Sequence, residues 1–138
     1  MESDPSRDIS PTVIDHARKS RNKGALSNSN GHARITGPCG DTMEFWLLVR
    51  DGSVEKVGFI TDGCGWSHAC GSMATSLAKG KSIADAAVIG QQDILSALGG
   101  LLQEVEHCAL LAANTLKAAC DDYVRGKTRR PEKAQLSL

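Results

Sequence analysis

The chain has 138 residues, 41% hydrophobic and 23% charged, a composition that suits one globular domain and excludes a disordered or collagen-like polymer. Its 16 basic and 16 acidic residues cancel, so no global field holds nucleic acid or an anionic membrane. The aromatics (Phe45, Trp46, Phe59, Trp66 and Tyr123) are too few for a base-stacking platform, and no apolar run approaches the roughly 20 residues of a membrane span.

The opening MESDPSRDIS lacks the apolar core of a signal peptide, which places the protein in the cytoplasm, with residues 1–9 as a flexible leader. Ser10-Pro11 reads as an N-cap with proline at the first helical position, opening a helix to about Lys23 that Gly24 stops. The small polar run 24–32 is a loop. Ala33–Thr36, Thr42–Arg50 and Val54–Thr61 are strand candidates, the last two joined by the hairpin signal Asp51-Gly52. A three-stranded antiparallel sheet with helices covering one face is the economical arrangement, an α+β fold.

From Ser67 the pattern turns helical. One helix runs to Lys79 and stops at Gly80. Ser82-Ile83-Ala84-Asp85 has the form of a capping box opening a short helix that ends at Gly90. Asp93–Leu98 is another short helix, stopped by Gly99-Gly100. The longest spans about Gln103 to Val124, with Cys108, Ala112, Leu116, Ala119 and Tyr123 on one stripe. One folded domain is thus expected over residues 10–124, followed by a basic mobile tail over 125–138. No internal repeat is present.

The five cysteines are Cys39, Cys64, Cys70, Cys108 and Cys120. An odd number in an unexported chain argues against a disulfide framework, and the absence of C-x-x-C removes a local zinc knuckle or redox pair. Two of them sit in glycine-rich turns, Gly37-Pro38-Cys39-Gly40-Asp41 and Asp62-Gly63-Cys64-Gly65. Glycine there frees the backbone so that N–H groups can approach a sulfur and its ligand. Cys64 and Cys108 also fall near helix starts, where a thiolate forms more easily. Asp41 and His107 add a carboxylate and an imidazole. Taken singly, a Gly-Cys-Gly turn or a His-Cys pair is commonly packing; their joint occurrence in chain order carries the weight.

In that order the chain resembles the IscU/NifU-type iron–sulfur cluster scaffold family. The shared blocks are Val13-Ile14-Asp15-His16, Arg21-Asn22-Lys23-Gly24, Cys39-Gly40-Asp41, Gly63-Cys64-Gly65, Lys79-Gly80-Lys81-Ser82, His107-Cys108 and Asp122-Tyr123. The resemblance implies an IscU/SufE-like domain, with about five helices mainly on one face of the sheet. It also implies a non-enzymatic scaffold, on which a transient [2Fe–2S] cluster is assembled from iron and persulfide sulfur and passed to apo-proteins. Cys39, Cys64 and Cys108 match the ligand cysteines, Asp41 the nearby aspartate, and His107 the histidine that completes the metal site. Cys108 is the implied acceptor of sulfur from a cysteine desulfurase, and Zn²⁺ can occupy the cluster-free site. Three thiolates plus an exchangeable Asp or His suit a cluster that must leave, since stable clusters normally have four thiolates.

The departures are informative. Where many IscU proteins carry Leu-Pro-Pro-Val-Lys for an Hsp70-type chaperone, this chain has Leu101-Leu102-Gln103-Glu104-Val105, which argues against that docking. There is no room for the insertion of the zinc-dependent SufU branch, nor for the added domains of long NifU proteins. Cys70 reads as a small helix residue near the site, a spare ligand or persulfide relay being the alternative; Cys120 reads as core on the stripe beside Leu116 and Tyr123, His68 as a surface residue, and Trp66 either as a shield for the site or as a docking aromatic. The alternative function on the same residues is a zinc-bound sulfurtransferase that accepts persulfide from a desulfurase. Either a monomer or a dimer suits these expectations.

Overall fold

A computed structural model describes residues 11–38, 40–99 and 106–129, with side chains through 126. The expected leader, the Ser10 cap, Cys39, the Leu101–Val105 segment and the chain beyond 129 lie outside the described residues. Three strands, β1 (Gly31–Thr36), β2 (Thr42–Arg50) and β3 (Ser53–Thr61), form one antiparallel sheet in the order β1-β2-β3. Five helices accompany it: α1 (Pro11–Arg18), α2 (Gly65–Ala78), α3 (Ile83–Ala87), α4 (Gln91–Leu98) and α5 (Glu106–Arg129). The α+β expectation holds in strand number, strand direction and helix number.

Alternation along the strands decides which face is covered. Met43, Phe45 and Leu47 of β2 and Phe59 of β3 are all fully buried, and β2 pairs with β3 so that Phe45 lies opposite Phe59. Their rings meet at 5.9 Å, and each such side chain contributes roughly 1.5–3 kcal/mol by leaving water. Onto this face α5 packs across β1 and β2, while α2 packs on β3. The α2 contact is close because residue 71 is glycine: a Cβ there would sit 2.4 Å from the Phe59 ring. On the other face His32 leans on Trp46 with centroids 5.5 Å apart. The Asp51-Gly52 hairpin forms as expected, both residues having positive φ (55° and 78°) as a two-residue turn of this kind requires.

Helix ends depart most from expectation at α1 and α5; α2 also begins at Gly65 rather than Ser67, α3 stops at Ala87, short of Gly90, and α4 begins at Gln91 rather than Asp93. The first helix stops at Arg18 rather than Lys23, because tertiary hydrogen bonds claim the residues that follow. The Arg21 N–H donates to Ser72 Oγ (2.8 Å), the Asn22 amide to Thr75 Oγ1 (3.0 Å), and the Gly24 N–H to the Phe59 carbonyl (2.7 Å). Asn22 takes a φ of 60° to make this path. The last helix starts at Glu106 and continues to Arg129, five residues past Val124, carrying a buried Gly126 within it. Residues 125–129 are therefore helical rather than tail. Among the described residues no helix is long and apolar enough to cross a membrane.

The His16 side chain links α1 to α2. It is 7% exposed, and its Nδ1 lies 2.6 Å from Ser72 Oγ. Burial, reinforced by the Arg21 charge and partly opposed by Asp15, holds its pKa below the ordinary 6.5. The folded imidazole stays neutral where the unfolded chain already binds a proton. Its contribution to stability is therefore complete above pH 6.5 and declines as pH falls through that value toward the lowered folded pKa. The urea midpoint should drop between about pH 7.5 and about pH 5.5, and His16→Asn should shrink the drop. An equal drop in variant and parent would show that His16 is not the cause.

Candidate functional site

The site begins where the free ends of β2 and β3 are laced together. Thr42 is the hub: its N–H donates to Asp62 Oδ1 (2.8 Å), and its carbonyl accepts from Thr61 Oγ1 (2.8 Å) and from the Asp62 N–H (3.3 Å). Thr61 Oγ1 also accepts from the Gly63 N–H at 3.1 Å. On the other side of Thr42 the β1–β2 loop closes tightly, with the Gly37 N–H on the Asp41 carbonyl (2.8 Å) and Gly40 at a φ of 95°. Asp41 is thereby set beside the turn that leads through Gly63 and Cys64 into α2.

Across this gap lies Ser67, completely buried in the first turn of α2. Its Oγ is 3.3 Å from Asp41 Oδ2 and 3.5 Å from Cys108 Sγ. A hydroxyl has one proton and two lone pairs, and a carboxylate only accepts. The single O–H therefore serves one partner at a time, donating to Asp41 Oδ2 or to Cys108 Sγ. Gly63 leaves room for this arrangement: a Cβ there would fall 2.4 Å from Ser67 Oγ and 2.8 Å from Asp41 Oδ2.

Cys108 is 1% exposed on α5, and His107 Nε2, on an exposed residue beside it, lies 3.7 Å from its sulfur. Cys64 is exposed at the N-cap of α2, where its side chain makes no capping hydrogen bond.

The structure thus brings Asp41, Cys108 and His107 into one neighbourhood, with Cys64 on the adjoining turn; Cys39 lies outside the described residues. Two thiols, a carboxylate and an imidazole are a mixed donor set that fits zinc or iron. Among the described residues no three such groups already converge on one point. Ser67 escaped the sequence reading, and Gly63 reads there only as part of a glycine-rich turn beside Cys64. Ser67 looked like an ordinary helix start, and nothing local announces that it meets residues 26 and 41 positions away.

The other singled-out residues are accounted for by packing. Cys70 is fully buried; burial pushes its thiol up strongly, and the nearby sulfurs of Cys108 and then Cys64 add to the effect. Cys120 is 1% exposed, its thiol pushed up to about 12, first by burial and then by Asp121. Trp66 packs against the core and lines a small apolar groove with Val13, Ile14 and Ala17 of α1. His68 is half-buried rather than a surface residue, and burial lowers its pKa.

Since the thiolate is the reactive form, a maleimide should label Cys64 in the folded protein while sparing Cys70 and Cys120 until denaturant is added. Mass mapping of the labelled peptides checks this; labelling of Cys70 as fast as Cys64 would contradict the burial.

Comparison with known proteins bears on the family and the fold. The chain is 38% identical over 130 residues to "Iron-sulfur cluster assembly scaffold protein IscU 1" of Archaeoglobus fulgidus, covering 94% of this chain and 85% of that one. It is also 38% identical over 130 residues to the IscU scaffold protein of Escherichia coli, covering 90% and 98%. The crystal structure of a NifU-like N-terminal protein from Brucella abortus shares the fold, with a TM-score of 0.70 at 17% identity over 88% of this chain and 99% of that one. The family described as "NifU-like N terminal domain" matches residues 8–130, and the chain belongs to it.

Proposed function

We propose that the protein is a non-enzymatic scaffold on which a transient [2Fe–2S] cluster is assembled and from which it is handed to apo-proteins. The observation that carries this reading is the meeting of Asp41 and Cys108 at one buried hydroxyl, beside His107 and the Cys64 turn. Its kinship with proteins named as iron–sulfur cluster assembly scaffolds supports it.

In this reading the cluster is cargo. Cys39, Cys64 and Cys108 supply thiolates, and Asp41 or His107 completes the set. An oxygen or imidazole ligand exchanges more readily than a fourth thiolate, which suits delivery. Cys108 accepts sulfur from a cysteine desulfurase, which requires its buried sulfur to be uncovered when the donor docks. Its thiolate attacks the outer sulfur of the donor persulfide, a new S–S bond forms, the donor's S–S bond breaks, and the donor thiolate leaves. Reduction of that sulfur to sulfide draws on electrons from outside the chain. Without cluster, the same residues hold Zn²⁺, and the function is carried out in the cytoplasm.

Anaerobic incubation with ferrous iron, cysteine and a desulfurase should load iron and acid-labile sulfide. Alanine at Cys39, Cys64 or Cys108 should reduce loading at least ~10-fold, as loss of a metal ligand does. Undiminished loading in all three variants refutes the assignment, and zinc without sulfide in the anaerobically isolated protein would favour a sulfurtransferase instead. Asp41→Ala should load but transfer its cluster to an acceptor several-fold more slowly, because the exchangeable ligand is gone. Transfer at the parental rate would remove Asp41 from that role.

A further inference from the structure

We propose that Ser67 is a positioning residue of the site. Its buried hydroxyl holds the Asp41 carboxylate beside Cys108, so that an arriving metal ion meets a carboxylate and a thiol already paired. This rests on the scaffold reading and goes beyond it, adding a residue that is not itself a ligand.

Three observations carry it. First, the two contacts, 3.3 Å to Asp41 Oδ2 and 3.5 Å to Cys108 Sγ, come from one oxygen on a residue with no solvent exposure. A buried hydroxyl keeps its partners because leaving one unmade costs roughly 1–3 kcal/mol. Second, two other hydroxyls of α2 bond back to their own helix, Thr75 Oγ1 to the Ser72 carbonyl at 2.7 Å and Ser76 Oγ to the same carbonyl at 2.9 Å, while Ser72 Oγ faces His16 of α1. That back-bonding is the usual fate of a helical serine. Ser67 instead reaches across to another loop and another helix. Third, Gly63 leaves clear the space that the hydroxyl and the carboxylate share; a methyl group there would collide with both.

Asp41 needs such a hold. It closes a loop containing Gly40 in a left-handed conformation, and among the described residues Ser67 supplies the hydrogen bond its carboxylate receives. A carboxylate oriented beforehand does not have to be immobilised when the ion arrives. Partners of this kind typically change metal affinity 10–100-fold.

The test uses the full chain with Zn²⁺ alone, titrated against a chromophoric chelator, and with Co²⁺ as a spectroscopic probe. Ser67→Ala should bind Zn²⁺ roughly 10-fold more weakly than the parent, with a thermal midpoint within a few degrees of it. Asp41→Ala should also lose affinity, and the double variant should bind no more weakly than Asp41→Ala alone, since the hydroxyl acts through the carboxylate. The Co²⁺ d–d bands of Ser67→Ala should move toward those of Asp41→Ala, a change that a purely structural serine would not produce. Gly63→Ala, which keeps every polar group but displaces two of them, should weaken Zn²⁺ similarly.

Parental affinity in Ser67→Ala, or losses that multiply in the double variant, would overturn the proposal while leaving the scaffold reading intact. A parent that binds neither zinc nor cluster would overturn both.

Discussion

The knot of hydrogen bonds around Thr42 is the constraint on which the site depends. It ties the end of β2 to Thr61 and Asp62 at the end of β3, and so places the β1–β2 loop against the turn entering α2. The sheet register is set by the buried alternation of Met43, Phe45 and Leu47 against Val57 and Phe59, and a slip of one residue would turn that apolar set outward. Asp41 and Cys64 are neighbours because the core fixes the register and the register fixes which loop faces which turn.

On that frame the donors differ in character. Cys108 is sunk into the α5 packing with its sulfur on Ser67, whereas Cys64 and His107 are exposed. A buried sulfur gives a firm anchor in a position set by packing. Exposed groups can be approached by a donor or an acceptor, and they can rearrange without unpacking the core. Cys70 shows the opposite case: it lies close enough to feel both sulfurs, yet burial keeps its thiol protonated and inert.

Much of this could be read in the chain beforehand, for physical reasons that differ by element. Asp51-Gly52 signals its hairpin because the turn demands positive φ, and Ser82 signals a helix start because its hydroxyl receives the Asp85 N–H at 3.1 Å. The burial of Cys120 follows from the stripe it shares with Leu116. The end of α1 could not be read in this way. Arg21, Asn22 and Gly24 leave the helix for partners on α2 and β3, and propensity says nothing about such partners. Ser67 was hidden for the same reason, since its importance lies in two contacts made across space. The motif residues were visible because their types are chemically unusual; a serine in a helix is not.

The path of residues 22–24 has a consequence for how the protein behaves in a crowded solution. The outer rim of β3 is occupied along its middle by this segment, through Gly24 on the Phe59 carbonyl and Phe59 on the Asn22 carbonyl. Near its start Val54 is matched to Lys81 and Gly80. A strand rim left bare invites another chain to extend the sheet, a route to aggregation. Here that rim is already held at Val54 and Phe59 by the molecule's own backbone, which leaves less of β3 for another chain to join.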